Sequence, residues 1–203
     1  MSDPPSVPVR KRLNQEQRRT QTHQHFIEAA RTLFARQGFQ GTSLDQISEL
    51  AGYSRGAFHY AFDSKEDLLL ALMRSCFETD LQTLQTLRSA GAASQTDEFR
   101  ARSDDTPVNR EVHLLKLEFW ICALRLPRFG EAYAREFAAY RSALASLIED
   151  TSTSLFPPES TAAVLLALSN GLDTQKLIDP AAFPANLYDQ VLQRVLSTEH
   201  TST

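Results

Sequence analysis

Apolar side chains recur at helical spacing through almost all of this chain, and nowhere do they alternate as a half-buried strand requires. Only 7 glycines interrupt 203 residues. Together these features predict an all-α protein. Phe26, Ile27, Ala30, Leu33 and Phe34 form one stripe between Thr20 and Arg36, with Gly38 placed to end that helix in a left-handed cap. A long helix starts at Ser64 and carries Leu68, Leu69, Leu72, Cys76, Leu84 and Leu87 toward Ser89. Val108–Leu126 is apolar nearly all round and predicts a central buried helix. Pro127, Pro157-Pro158, Pro180 and Pro184 then separate helices over about 128–150, 161–178 and 185–197. Residues 89–107 are polar, forming a loop or a loop around one short helix.

Two stretches in this pattern are unusually short. Thr42 or Ser43 can cap a helix whose buried face is Leu44, Ile47, Leu50 and Ala51, with Asp45 or Gln46 completing a capping box. Gly52 stops it after scarcely two turns, and Ser54 caps a second segment from Arg55 to Phe62. Two short helices joined by a glycine turn are the geometry of a helix-turn-helix DNA reader. Its physics asks for a small residue where the helices cross, supplied by Ser48, and a turn residue at ease with positive φ, supplied by Gly52. The second helix must bury one edge (Ala57, Phe58, Phe62) and offer the other to the major groove, here Arg55, Gly56, His59 and Tyr60.

Charge supports the assignment. The net charge is −4, yet residues 1–65 hold 9 Lys/Arg against 6 Asp/Glu (+3), leaving 12 against 19 (−7) for residues 66–203. That asymmetry fits a basic reader on an acidic body. Cys76 and Cys122 lie far apart, which excludes a disulfide scaffold or a Cys-based zinc site. No apolar stretch is long enough to span a membrane or act as a signal peptide, so a cytoplasmic location is expected.

The run Gly41-Thr-Ser-Leu-Asp-Gln-Ile-Ser-Glu-Leu-Ala-Gly-Tyr-Ser-Arg-Gly-Ala-Phe-His-Tyr-Ala-Phe-Asp-Ser-Lys-Glu-Asp-Leu-Leu closely resembles the tetracycline-repressor (TetR/AcrR) family. The resemblance covers roughly residues 20–75; beyond it, only length and helix pattern agree. Tyr53 departs from the usual valine, and His59-Tyr60-Ala61 from the usual two or three aromatics. The resemblance implies a reader in which Thr42, Ser43 and Lys65 hold phosphates, with Ser54 at the recognition-helix start also counted among the DNA-binding residues. Helix N-termini suit anions. Arg55 is the candidate for direct reading of guanine, and His59 and Tyr60 for mixed phosphate and thymine-methyl contacts.

For the body, the resemblance implies a small-molecule pocket in each subunit and a helical dimer interface. Candidate pocket residues are His113, Glu118, Trp120, Cys122, Tyr133, Phe137 and Asn170. His113 equally reads as a satisfied core histidine, Glu118 as a solvent-facing edge, Cys122 as a small hydrophobe and Asn170 as an interface residue. Ala163, Ala167 and Gly171 allow another helix to approach closely, and Leu187, Val191 and Val195 form a stripe beside them.

The expected organisation is a flexible basic arm over 1–19, a three-helix DNA-binding domain over 20–65 and a helical effector-binding and dimerisation domain over 66–203. The arm is either a solubilising tail or a minor-groove contact. The expected activity is that of a dimeric repressor released from palindromic duplex DNA by an unidentified small molecule. A constitutive regulator without an effector is the alternative. No nucleophile motif or metal spacing supports an enzyme, and no cofactor is expected.

Overall fold

The computed structural model describes residues 15–90, 107–151, 156–182, 184, 187, 190 and 191. The described residues contain helices and no strand. Helix α1 spans Gln15–Gly41, α2 Leu44–Ala51, α3 Arg55–Ala61 and α4 Lys65–Ala90. Then come α5 at Pro107–Arg125, α6 at Pro127–Thr151, α7 at Pro158–Ile178 and a 3₁₀ turn at Pro180–Ala182. Pro127 and Pro158 open their helices, where a missing N–H has no helical partner to lose.

α1 begins earlier than the stripe predicts. Gln15 to Arg19, expected in a flexible arm, are helical, and Thr20 and Thr22 return hydroxyl bonds to the carbonyls four residues back. Residues 1–14 lie outside the described residues. Gly38 has the positive φ expected of it (74°), but its ψ of 165° is extended. It therefore kinks the chain rather than forming a left-handed cap, and another turn follows to Gly41.

α2 follows its capping signals closely, but Leu50, expected on its buried face, is 52% exposed. The Ser43 side chain accepts from the Gln46 N–H at 3.2 Å, and the Gln46 side chain accepts from the Ser43 N–H at 2.8 Å. Gly52 closes the helix in the left-handed region (φ 77°, ψ 27°). Phe26 of α1 anchors the three-helix head, meeting Phe58 and Phe62 edge-on with ring centres 5.4 and 6.2 Å away.

α4 joins head to body without a break, so the expected boundary at residue 65 falls at its first residue. Leu68, Leu69, Leu72 and Met73 are fully buried along it. α6 packs on α4, α5 and α7, while α5 also packs on α1. Rings from Phe77, Phe129, Tyr133, Phe137 and Tyr140 interlock in the body. α5 is not buried all round: Val112, Ile121 and above all Leu124 (90% exposed) lie at its surface.

Candidate nucleic-acid interface

α3 is held from behind and open in front. Phe58 is fully buried, while Arg55, Gly56, His59 and Tyr60 are exposed. Ser54 caps the helix through its hydroxyl, which accepts from the Ala57 N–H at 3.2 Å. A side chain placed at Gly56 would meet only the Ser54 hydroxyl, at 3.7 Å, so the backbone there can approach a partner closely. The Arg55 guanidinium rests 3.3 Å from Asp45 of α2, both side chains well exposed. A pair this wet contributes little to stability and can yield to a better acceptor.

Other predicted contacts are already engaged. Thr42 is buried, its hydroxyl donating to the Gly38 carbonyl at 2.7 Å. Ser43 is exposed and serves as the α2 cap. The Lys65 ammonium donates to the Phe39 and Thr42 carbonyls at 2.7 and 2.8 Å and lies 4.4 Å from the Phe39 ring centre. Partial burial holds it below the usual lysine range. Tyr53 uses the hydroxyl that valine would lack: it lies 3.2 Å from His25 Nδ1, while its ring packs on Phe26. His25 has no counterpart among the sequence candidates; a tyrosine in a valine position was its only signal.

The seven body candidates fall in three places. Trp120 donates its indole N–H to the Tyr133 hydroxyl at 2.7 Å, and Tyr133 stacks on Phe137 with ring centres 5.8 Å apart. Burial pushes the Tyr133 phenol up to about 12. Elsewhere, His113 bridges α5 to α7: its Nε2 is 3.0 Å from the Thr174 hydroxyl and its Nδ1 3.8 Å from Asp173. Burial holds this histidine below its usual value, and burial also raises Asp173. Asp173 and Thr174 escaped the sequence reading because they face His113 only across helices. Asn170 donates to the Leu166 carbonyl of its own helix at 2.8 Å.

Glu118 and Cys122 form the third place, at the joint with the head. Glu118 accepts from the Phe39 N–H at 2.8 Å, and the Cys122 thiol lies 3.8 Å from the same carboxylate oxygen. Burial, then Glu118, pushes that thiol up to about 12. Among the described residues no group of three or more His, Cys, Asp or Glu could hold a metal.

On α7, Ala163 and Ala167 are exposed, and nothing lies within 4 Å of where a Gly171 side chain would project. Leu187 is partly buried against the core and Val191 half-buried; Val195 lies outside the described residues. No described helix is long and apolar enough to cross a membrane.

Known proteins share this architecture. Residues 26–72 match the model for bacterial regulatory proteins of the tetR family, and residues 97–201 match the C-terminal region of BetI-type transcriptional repressors. The repressor AcnR of Corynebacterium glutamicum is 42% identical over 55 residues, which is 27% of this chain and 29% of AcnR. The regulator RutR of Escherichia coli K12 is 42% identical over 62 residues, 30% of this chain and 29% of RutR. The chain thus spans under a third of these curated relatives' length. A transcriptional regulator from Pseudomonas aeruginosa PAO1 superposes with a TM-score of 0.71 at 25% identity, covering 92% of each chain. One from Saccharomonospora viridis, in complex with choline, gives 0.72 at 20% identity, covering 86% of this chain and 95% of that one. Reader and body both match, over separate stretches that together take in most of the sequence, and the chain belongs to the TetR family of bacterial regulatory proteins.

Proposed function

We propose that the protein is a homodimeric transcriptional repressor that binds a palindromic operator and is released by a small molecule. The observation that carries this reading is α3, whose buried Phe58 fixes a helix that presents Arg55, His59 and Tyr60 outward. Two such helices reach successive major grooves when about 34–36 Å apart. The accessible α7 edge around Ala163, Ala167 and Gly171, with Leu187, Val191 and Val195, supplies the dimer contact that sets this distance. Arg55 reads a base, Ser43 and Ser54 mark helix starts facing phosphate, and Lys65 and Thr42 act from behind, holding the turn into α2.

Effector release draws support from the Saccharomonospora viridis regulator, whose structure holds choline. A constitutive regulator without an effector is favoured by one observation: Trp120, Tyr133, His113 and Asn170 all have polar partners within the body. A thermal-shift screen decides between the two, since only a bound effector raises the midpoint.

Selection of bound duplexes from a random pool at fixed salt tests the main reading. The expected product is a palindrome with half-sites near one helical turn apart. Against it, Arg55→Ala should lose about 1–3 kcal/mol and relax selectivity at one base position. Wild-type affinity and selectivity in that variant would remove Arg55 from the interface.

A further inference from the structure

The turn that delivers the chain into α2 is held from both sides by elements outside the head's own two short helices. Gly38 breaks α1 with a positive φ, which leaves the next amide, Phe39, outside the helical ladder. Its N–H points to the Glu118 carboxylate, 79 positions away on α5, at 2.8 Å. The carbonyls of the same turn, Phe39 and Thr42, are taken by the Lys65 ammonium at the start of α4. Thr42 closes the turn on itself by donating to Gly38. Ser43, the α2 cap, is the next residue. A carboxylate on the body thus grips the donor side of the turn, and an ammonium grips its acceptor side.

We propose that Glu118 is a positioning residue for DNA binding: through the Phe39 amide it fixes the pitch of α2 and α3 relative to α5. Movement of α5 along or about its axis is thereby transmitted to the reader. The inference deepens, and rests on, the reading of this protein as a dimeric operator-binding regulator. Two features make the grip sensitive to displacement. A carboxylate–amide bond is charge-assisted, short and stronger than a neutral one, so breaking it by displacement carries a cost the reader registers. Glycine is also what lets the carboxylate sit so near: a Cβ on Gly38 would lie 3.3 Å from the Glu118 carboxylate, so any larger residue there would push the carboxylate off the turn. The Cys122 thiol lies against the same oxygen and leaves the carboxylate little freedom to swing aside.

A local structural role and a positioning role separate on two DNA probes. One is the palindromic duplex selected by the wild-type protein; the other is the same duplex with one half-site scrambled. The palindrome requires both readers at the correct pitch, whereas the half-site requires one intact reader. Glu118→Ala should weaken binding to the palindrome roughly tenfold, within the range of about 5- to 150-fold typical of coupling between sites, and leave half-site affinity within about twofold. Glu118→Gln keeps an oxygen acceptor for the Phe39 N–H and should restore palindrome affinity. Glu118→Asp keeps the charge but shortens the reach, and should lose palindrome affinity selectively even if the alanine variant fails to fold.

Equal losses on both probes, or a glutamine variant as poor as the alanine one, would overturn the positioning role. So would unchanged palindrome binding in both Glu118→Ala and Glu118→Asp. If the wild-type protein selects no duplex at all, the operator-binding reading fails first and takes this one with it. If it selects one and every variant binds normally, only the role of Glu118 fails.

Discussion

The head and the body reach comparable order by different means. In α2 and α3, the helix ends are set within four residues: the Ser43–Gln46 box, the Ser54 cap and the Gly52 terminator. In the body, helices of 19 to 26 residues are fixed by groups far apart in sequence. Phe77 of α4 meets Tyr133, Phe137 and Tyr140 of α6, and His113 of α5 meets Thr174 of α7. A short helix cannot support itself by propensity and needs its caps. A long one can dispense with caps if its apolar face is covered. The short helices of the reader are therefore delimited by local instructions, whereas those of the body take their places from contacts between helices.

Core truncation tests that contrast most forcefully. Phe58→Ala in the head and Phe129→Ala in the body each remove a fully buried ring and should cost about 3–5 kcal/mol in urea unfolding. If the regions differ as described, Phe58→Ala should abolish DNA binding under conditions where far-UV circular dichroism still reports a folded body. Loss of all helix in both variants would mean that the two parts fold as one unit.

Polar deletions should show a smaller difference. Tyr133→Phe leaves the partly buried Trp120 N–H without its acceptor and should cost about 1–3 kcal/mol. Ser43→Ala removes one cap bond from α2 and should cost about 1 kcal/mol, read as a lower thermal midpoint. The ranking would reverse if caps dominate in both regions.

The smallest expected effect is in pH dependence, and it too divides by region. His23 in the head stacks on Phe62, and His113 lies in the body; burial is the leading cause that lowers both. An unfolded histidine takes up a proton first as pH drops below its ordinary 6.5, so stability that is full above that value declines toward the lowered folded values. Asp173, raised by burial, acts with opposite sign and in a lower window: its contribution fades as pH rises from its ordinary 3.8 through its folded value. Urea midpoints between about pH 7.5 and 5.5 should fall in the wild-type protein, and less steeply in His113→Gln. A slope unchanged in His113→Gln but flattened in His23→Gln would place the sensitive site in the head alone.

This division also governs what the sequence discloses. Ser43, Gln46, Gly52 and Ser54 are legible because a cap and its partner stand three residues apart. The helical order of the body is legible from its period and its prolines. Glu118 reads only as a polar residue on an apolar helix, since its partner is a backbone amide 79 residues earlier, exposed by the Gly38 kink. Leu124 looks buried for a related reason: an apolar run cannot reveal which edge lacks a neighbour. Gln15–Arg19 reads as a tail because charge and nearby prolines outweigh five residues of good helix formers.

The unbroken passage of α4 from head to body has a mechanical consequence. Its 26 residues, at about 1.5 Å of rise each, form a rod roughly 39 Å long. Pivoting that rod by about 5° at its body end swings Lys65 through roughly 3 Å, close to the rise of one base pair. A small angular change at one end of α4 is thus read at the other as a displacement on the scale of a base-pair step.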